Sequence, residues 1–205
     1  MLQVIDLTHK FTASIPVHSC DEPASITKIR NLADNKYNDW KLSTGMHVGT
    51  HIDGPGHLTN SSMVMSDISI DKFVGEGCLI DARNKSIDIE LLKGIHLNEN
   101  FIVLILTGFD KKFGTEEYFT KYPVLTPEFV QELARHKVKM VGLDFFSPDH
   151  YPFEVHKLLF ENNILIIENL TNLESLVGVK KSTVVALPLK IATDSSLARV
   201  IAMVG

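Results

Sequence analysis

The stretch "VKMVGLDFFSPDHYPFEVHKLLFENNILIIE", residues 138–168, reads as a strand, a helix and a second strand. Its two ends, "VKMVGLD" (138–144) and "ILIIE" (164–168), are β-branched and aliphatic with almost no polar alternation, the pattern of strands buried on both faces. Between them "PFEVHKLLFEN" (152–162) sets Phe153, His156 and Leu159 or Phe160 along one helical stripe. Working outward, runs of the same character recur at "QVIDLT" (3–8), "CLIDA" (78–82), "FIVLILT" (101–107), "STVVALPL" (182–189) and "ARVIAMV" (198–204). Helices fall between some of them. "TPEFVQELARH" offers Thr126 as N-cap and Pro127 at the first helical position, and "SIDIELLKG" offers Ser86 as a cap and Gly94 as a stop.

Strand and helix alternate through the second half, which predicts an α/β architecture, while the first half is mostly strand and long loop. No internal repeat or Pro/Ser/Gly-rich linker divides the chain, so residues 1–205 are expected to form a single domain. At 205 residues, 44% hydrophobic and 22% charged, the composition is that of an ordinary globular protein with one sizeable core. The loop over 9–23 is long enough to call for a function.

Charge and targeting exclude several partners. The formal net charge is -5, from 20 Lys+Arg against 25 Asp+Glu, and no basic block stands out for nucleic acid or an anionic membrane to select. The N-terminus has no cationic head before an apolar core, and "FIVLIL" is far short of the roughly 20 residues that span a bilayer. A cytoplasmic location is the expectation. The two cysteines, Cys20 and Cys78, form neither a CxxC motif nor a disulfide framework.

The chemistry gathers in "MHVGTHIDGPGHL" (46–58). In an extended chain His47, His51, Asp53 and His57 would all emerge on one face, because each is odd-numbered. His51 and Asp53, two residues apart, can reach one cation, whereas His47 lies about 13 Å from His51 in a flat strand and needs a bend that Gly49 permits. "GPG" (54–56) then turns His57 back towards the same point, where a histidine beside a metal can act as general acid or base. Solvated histidines at a strand end are the bland alternative, but three His and an Asp on one face outweigh it. Imidazole and carboxylate donors without cysteine suit Zn, Mn or Fe(II) in a catalytic site. The remaining ligands must come from afar: His156 sits on a core-facing stripe, and Glu168 ends an apolar run where an unpaired carboxylate is costly. Taken singly, each is more often a satisfied core histidine or a helix cap.

Together these residues amount to a resemblance. "HVGTHIDGPGH" resembles the HxGTHxDxPxH signature of the metal-dependent cyclase family, which includes the bacterial kynurenine formamidases and the isatin hydrolases. "LDFFSPD" (143–149), His156, "IIENLTNLESL" (166–176) and "ALPLKIATDSSLARVI" (186–201) continue it in order over nearly the whole chain. The resemblance implies a swivelling β/β/α fold, a central mixed sheet flanked by helices. It implies that His47, His51 and Asp53 bind metal, with Asp53 able to bridge two ions, that His156 binds a second ion, that Glu168 bridges, and that His57 is the acid/base. The cofactor would be one or two divalent ions per chain, zinc first and manganese second. The activity implied is hydrolysis of a C–N amide bond, as in an aryl formamide of the N-formylkynurenine type, by metal-activated water. Alternatives are an isatin-type lactam hydrolase with one metal and a non-catalytic binding protein of the same fold. The partners implied are a small-molecule substrate and a second copy of the chain, as a homodimer or larger homo-oligomer. In the formamidases a segment resembling "PVWPGDTP" carries a Trp that stacks on the substrate; here "PVHSCDEP" (16–23) places His18 there, as a substrate-binding candidate with less apolar area.

Overall fold

The computed structural model describes residues 2–205. Ten strands and four helices follow one another as β1 (Gln3–Asp6), β2 (Ser25–Arg30), α1 (Leu32–Asn35), β3 (Asp39–Ser43), β4 (His51–Asp53), β5 (Val74–Asp81), β6 (Phe101–Leu106), α2 (Glu116–Thr120), α3 (Pro127–Arg135), β7 (Met140–Leu143), α4 (Glu154–Glu161), β8 (Leu165–Glu168), β9 (Ser182–Pro188) and β10 (Ser195–Val204). All but β2 and β3 join one sheet in the order β1-β10-β4-β8-β7-β6-β5-β9, and β9 pairs back onto β10 to close a ring. Strands β5 to β8 are parallel neighbours, and the remaining pairings are antiparallel. The α/β class and mixed sheet read from the sequence are therefore present, with the sheet closed on itself.

Alternation along the strands sorts the apolar residues into two cores. Ile102, Leu104 and Leu106 of β6, Leu165 and Ile167 of β8, Ile52 of β4 and Val200 of β10 share one, which fills the closed sheet. Val103 and Ile105 of β6, Val141 and Leu143 of β7 and Ile166 of β8 point the other way. They meet Phe129, Val130 and Leu133 of α3 and Val155, Leu159 and Phe160 of α4. Burying each of those helix side chains contributes about 2 kcal/mol, so packing rather than helix propensity holds α3 and α4 in place. The expected N-cap of α3 is present, with Thr126 Oγ1 accepting from the Phe129 amide at 3.3 Å.

Two local expectations change. "SIDIELLKG" forms only a 3-10 turn at Ile89–Leu92, and its cap is Asp88, whose side chain accepts from the Glu90 amide, rather than Ser86. One buried residue, Leu92, is too little apolar surface to hold a longer helix there. The β2–β3 hairpin and α2 carry no strong periodic signal and were not anticipated: every residue of β3 is exposed, as is most of β2. No helix among the described residues is long and apolar enough to cross a membrane.

Candidate metal centre

The site is built on the helix-covered face of the sheet. Ile52 points into the closed sheet, so His51 and Asp53 on either side of it point out. In register, His51 lies opposite Glu168 and Asp53 opposite Ile166, whose side chain belongs to the helix-side core. Glu168 therefore projects beside His51 rather than into the barrel. Helix α4 adds His156 from above, its Nε2 3.5 Å from Glu168 Oε1.

His47 arrives by the expected bend. Gly49 adopts φ +71°, and a side chain there would meet Ile15 Cδ1 at 2.7 Å, because the N-terminal loop packs directly over it. The turn brings the His47 and His51 rings to 5.1 Å between centroids, with His47 Nδ1 2.9 Å from Asp53 Oδ1. Gly54 serves a second close approach: its amide donates to the Asp194 carbonyl at 2.9 Å, where a Cβ would collide at 2.8 Å. His57, at the end of the 3-10 turn Pro55–His57, lies with its ring 4.1 Å from His47, and its Nδ1 is 3.6 Å from Asp194 Oδ2.

His51, Asp53 and Glu168 are all buried, yet His51 Nε2, both Asp53 carboxylate oxygens and Glu168 Oε1 have no hydrogen-bond partner. Their separations are short, with His51 Nε2 3.3 Å from Asp53 Oδ1 and 3.4 Å from Glu168 Oε2, but they are not aligned as hydrogen bonds. Unpaired polar atoms converging in a buried site are costly unless something cationic stands between them. The donor set suits a divalent ion. One atom each from His51, Asp53 and Glu168 lie within 4.8 Å of one another, and so do atoms of His47, Asp53 and His57, so Asp53 is shared by two groups. His57, expected beside the metal, thus also stands within ligand reach of it.

The electrostatics agree. Burial works against a charge on His51, but Asp53 and Glu168 outweigh it and raise its pKa well above the ordinary value. The same opposition raises His47, chiefly through Asp53, and lifts His156 to about 9 through Asp149 and Glu168. Burial would raise Asp53, yet the His51 and His47 imidazoles hold it well below the usual carboxylate range. The cluster thus holds positive charge against its buried carboxylates. His57 differs: burial lowers its pKa, with His47 and His156 adding to the effect against the pull of Asp53 and Glu168.

Several participants escaped the sequence reading. Asp149 accepts from His156 Nδ1 at 2.5 Å and from the Val155 amide at 2.6 Å, fixing the ring that faces Glu168. Ser195 Oγ lies 2.9 Å from His47 Nε2, and Asn169 follows Glu168 directly. Asp149, Asn169 and Asp194 all lie inside segments whose order is informative, but short polar residues in loops carry no periodic mark. His18 stacks on Phe146 at 5.4 Å and 14°, with Phe119 edge-on at 6.1 Å, and is not among the residues that converge on Asp53.

The putative cyclase family model matches residues 5–150, including the whole His-rich motif. The chain belongs to the putative cyclase family. This cyclase-family chain is 39% identical over 165 residues to an uncharacterized protein of Methanocaldococcus jannaschii, covering 80% of this chain and 81% of that one. It is 28% identical over 170 residues to a kynurenine formamidase of Bacillus cereus, covering 80% of each. Among solved structures, isatin hydrolase A from Labrenzia aggregata superposes with a TM-score of 0.89 at 24% identity, covering 99% of this chain and 94% of that one.

Proposed function

We propose that this chain is a metal-dependent hydrolase that cleaves a C–N amide bond in a small substrate of the aryl formamide, N-formylkynurenine-like class. The observation that carries the reading is the set of buried, unpartnered ligand atoms on His51, Asp53 and Glu168. These three would hold one divalent ion, and His47 with Asp53 would reach a second, His156 joining through Glu168. An ion bound there would lower the pKa of a water towards neutrality and polarise a carbonyl oxygen. Zinc is proposed first and manganese second, from the mixed imidazole and carboxylate donors.

His57 is proposed as the acid/base. Its side chain is 29% exposed where His51 is sealed, so it can meet a substrate. With Nδ1 turned towards Asp194, Nε2 is left to take a proton from the attacking water and return it to the leaving nitrogen. His18 is proposed to touch the aryl group, with one ring face taken by Phe146. Kinship to kynurenine formamidases supports the formamide class. The isatin-type lactam alternative, with a single ion, is favoured by one feature: if His57 is kept for proton transfer, only the His51, Asp53 and Glu168 group has three ligands.

A second copy of the chain is the proposed partner. Trp40 and Leu42 of β3 and Leu187 and Leu189 beyond it are exposed, and they border an apolar cleft of about 820 Å³. Light scattering on the eluted protein should give twice the chain mass. Elemental analysis of freshly purified protein, followed by assay of N-formyl aryl amines, isatin-like lactams and simple esters, tests the enzymatic reading. One or two ions per chain and formamide cleavage are expected. Full metal occupancy with inertness towards all three substrate types would overturn it.

A further inference from the structure

Asn169 is 2% exposed, follows Glu168 directly and adopts φ +55°. Every polar group it owns is engaged. Its carbonyl accepts from Thr50 Oγ1 at 2.6 Å, and its amide donates to the Phe145 carbonyl at 3.2 Å. In the side chain, Oδ1 accepts from the Tyr118 hydroxyl at 2.7 Å while Nδ2 donates to the Gly49 carbonyl at 3.0 Å. That same Gly49 oxygen accepts from His51 Nδ1 at 2.8 Å.

The direction of this chain of bonds is forced. A carbonyl oxygen only accepts, so His51 Nδ1 keeps its hydrogen, and Nε2, turned to Asp53 and Glu168, is the nitrogen left free to give up a proton in exchange for a cation. The Asn169 amide cannot flip, because its oxygen would then face the Gly49 oxygen and its NH2 would face the Tyr118 hydroxyl with nothing to share with the carbonyl. Tyr118, on α2, is fully buried and held by neighbouring rings, with Phe113 at 5.2 Å and Phe119 at 5.3 Å. A left-handed backbone alone would be met as well by glycine, so it does not account for the side-chain amide.

We infer that Asn169 and Tyr118 are positioning residues that lock the Gly49 carbonyl, and through it the tautomer and ring plane of His51, in the orientation that presents Nε2 to a divalent cation. The inference rests on the metal-centre reading above. It goes beyond it by assigning the selection of the ligand nitrogen to a hydroxyl that reaches His51 only through Asn169 and the Gly49 carbonyl. Loss of such outer partners typically weakens metal affinity about 10- to 100-fold.

The test is a Co(II) titration of metal-free protein, read by competition with a chromophoric chelator and by visible absorption of the bound ion. The variants are Asn169→Gly, which keeps the left-handed backbone, and Tyr118→Phe, which deletes only the hydroxyl. Asn169→Gly should bind Co(II) about 10- to 100-fold more weakly and Tyr118→Phe by a smaller factor, both with altered absorption and both still folded as metal-free chains by circular dichroism. Should Asn169→Gly not fold, Tyr118→Phe decides alone. Wild-type affinity and spectrum in the folded variants would overturn the inference and leave the metal centre standing. Failure of the wild-type chain itself to bind Co(II) would overturn both, and is visible before any variant is made.

Discussion

Two buried carboxylates show how differently this fold treats the same chemical group. Asp144, just beyond β7, is fully buried, and both its oxygens accept from the Thr107 amide, at 3.0 and 2.9 Å. The Thr107 hydroxyl and the Gly108 amide add bonds of 2.5 and 2.6 Å. Asp53, at the end of β4, is 1% exposed and has no aligned hydrogen bond at either oxygen. The first carboxylate ties down the turn after β6. The second is held in place by its strand and left chemically unsatisfied, and that combination separates a structural acid from a ligand.

The comparison can be pressed hardest at Asp53. Asp53→Asn should strip the chain of bound metal by elemental analysis and reduce turnover by orders of magnitude, since both candidate ligand groups share this residue. His57→Ala should keep the metal complement and lower turnover about 10²- to 10⁴-fold; metal loss in that variant would make His57 a ligand instead. Chelation of the wild-type protein should lower thermal stability by about 4 kcal/mol when the free ion had stood near a thousand times its Kd. The Asp53→Asn chain should show no such response in the same melting experiment.

At Asp144 the opposite pattern is expected. Asp144→Ala leaves the half-buried Thr107 and Gly108 amides without their acceptor and should cost about 2 kcal/mol in denaturant titration, with metal content unchanged. The smallest effect is on pH. Burial pushes the Asp144 carboxyl up from 3.8 to about 6, against the donors of Thr107 and Gly108. A raised folded-state value means the stabilisation is fully present below the unfolded value and is lost as pH rises through the folded one. Stability should therefore carry a shallow downward component between pH 3.8 and about 6 that disappears in Asp144→Ala. A rising component from this group would reverse the assignment.

How much of this was legible in the sequence depended on burial. Strands β5 to β8 announce themselves because their residues face two apolar cores, β9 and β10 because alternate residues line one of them, and α3 because Thr126, Pro127 and its Phe129, Val130 and Leu133 stripe agree. The hairpin of β2 and β3 has no core to face, so its sequence carries no alternation to read. In the site, His51 and Asp53 were legible from their spacing across Ile52, whereas His156 and Glu168, each read singly as a core histidine or a helix cap, became ligand candidates only through the family resemblance. Asp149, Asn169, Asp194 and Tyr118 were not, since each acts through a contact set by tertiary folding rather than by neighbours in the chain.

The closed sheet has one more consequence. Gln3 of β1 lies opposite Val204 of β10, so the first and last strands are zipped together at their ends. A cut in the β2–β3 hairpin, which pairs with no strand of the main sheet, would therefore leave the pieces on both sides of it held by main-sheet pairings. Continuity of the backbone there is separable from the shape the sheet takes.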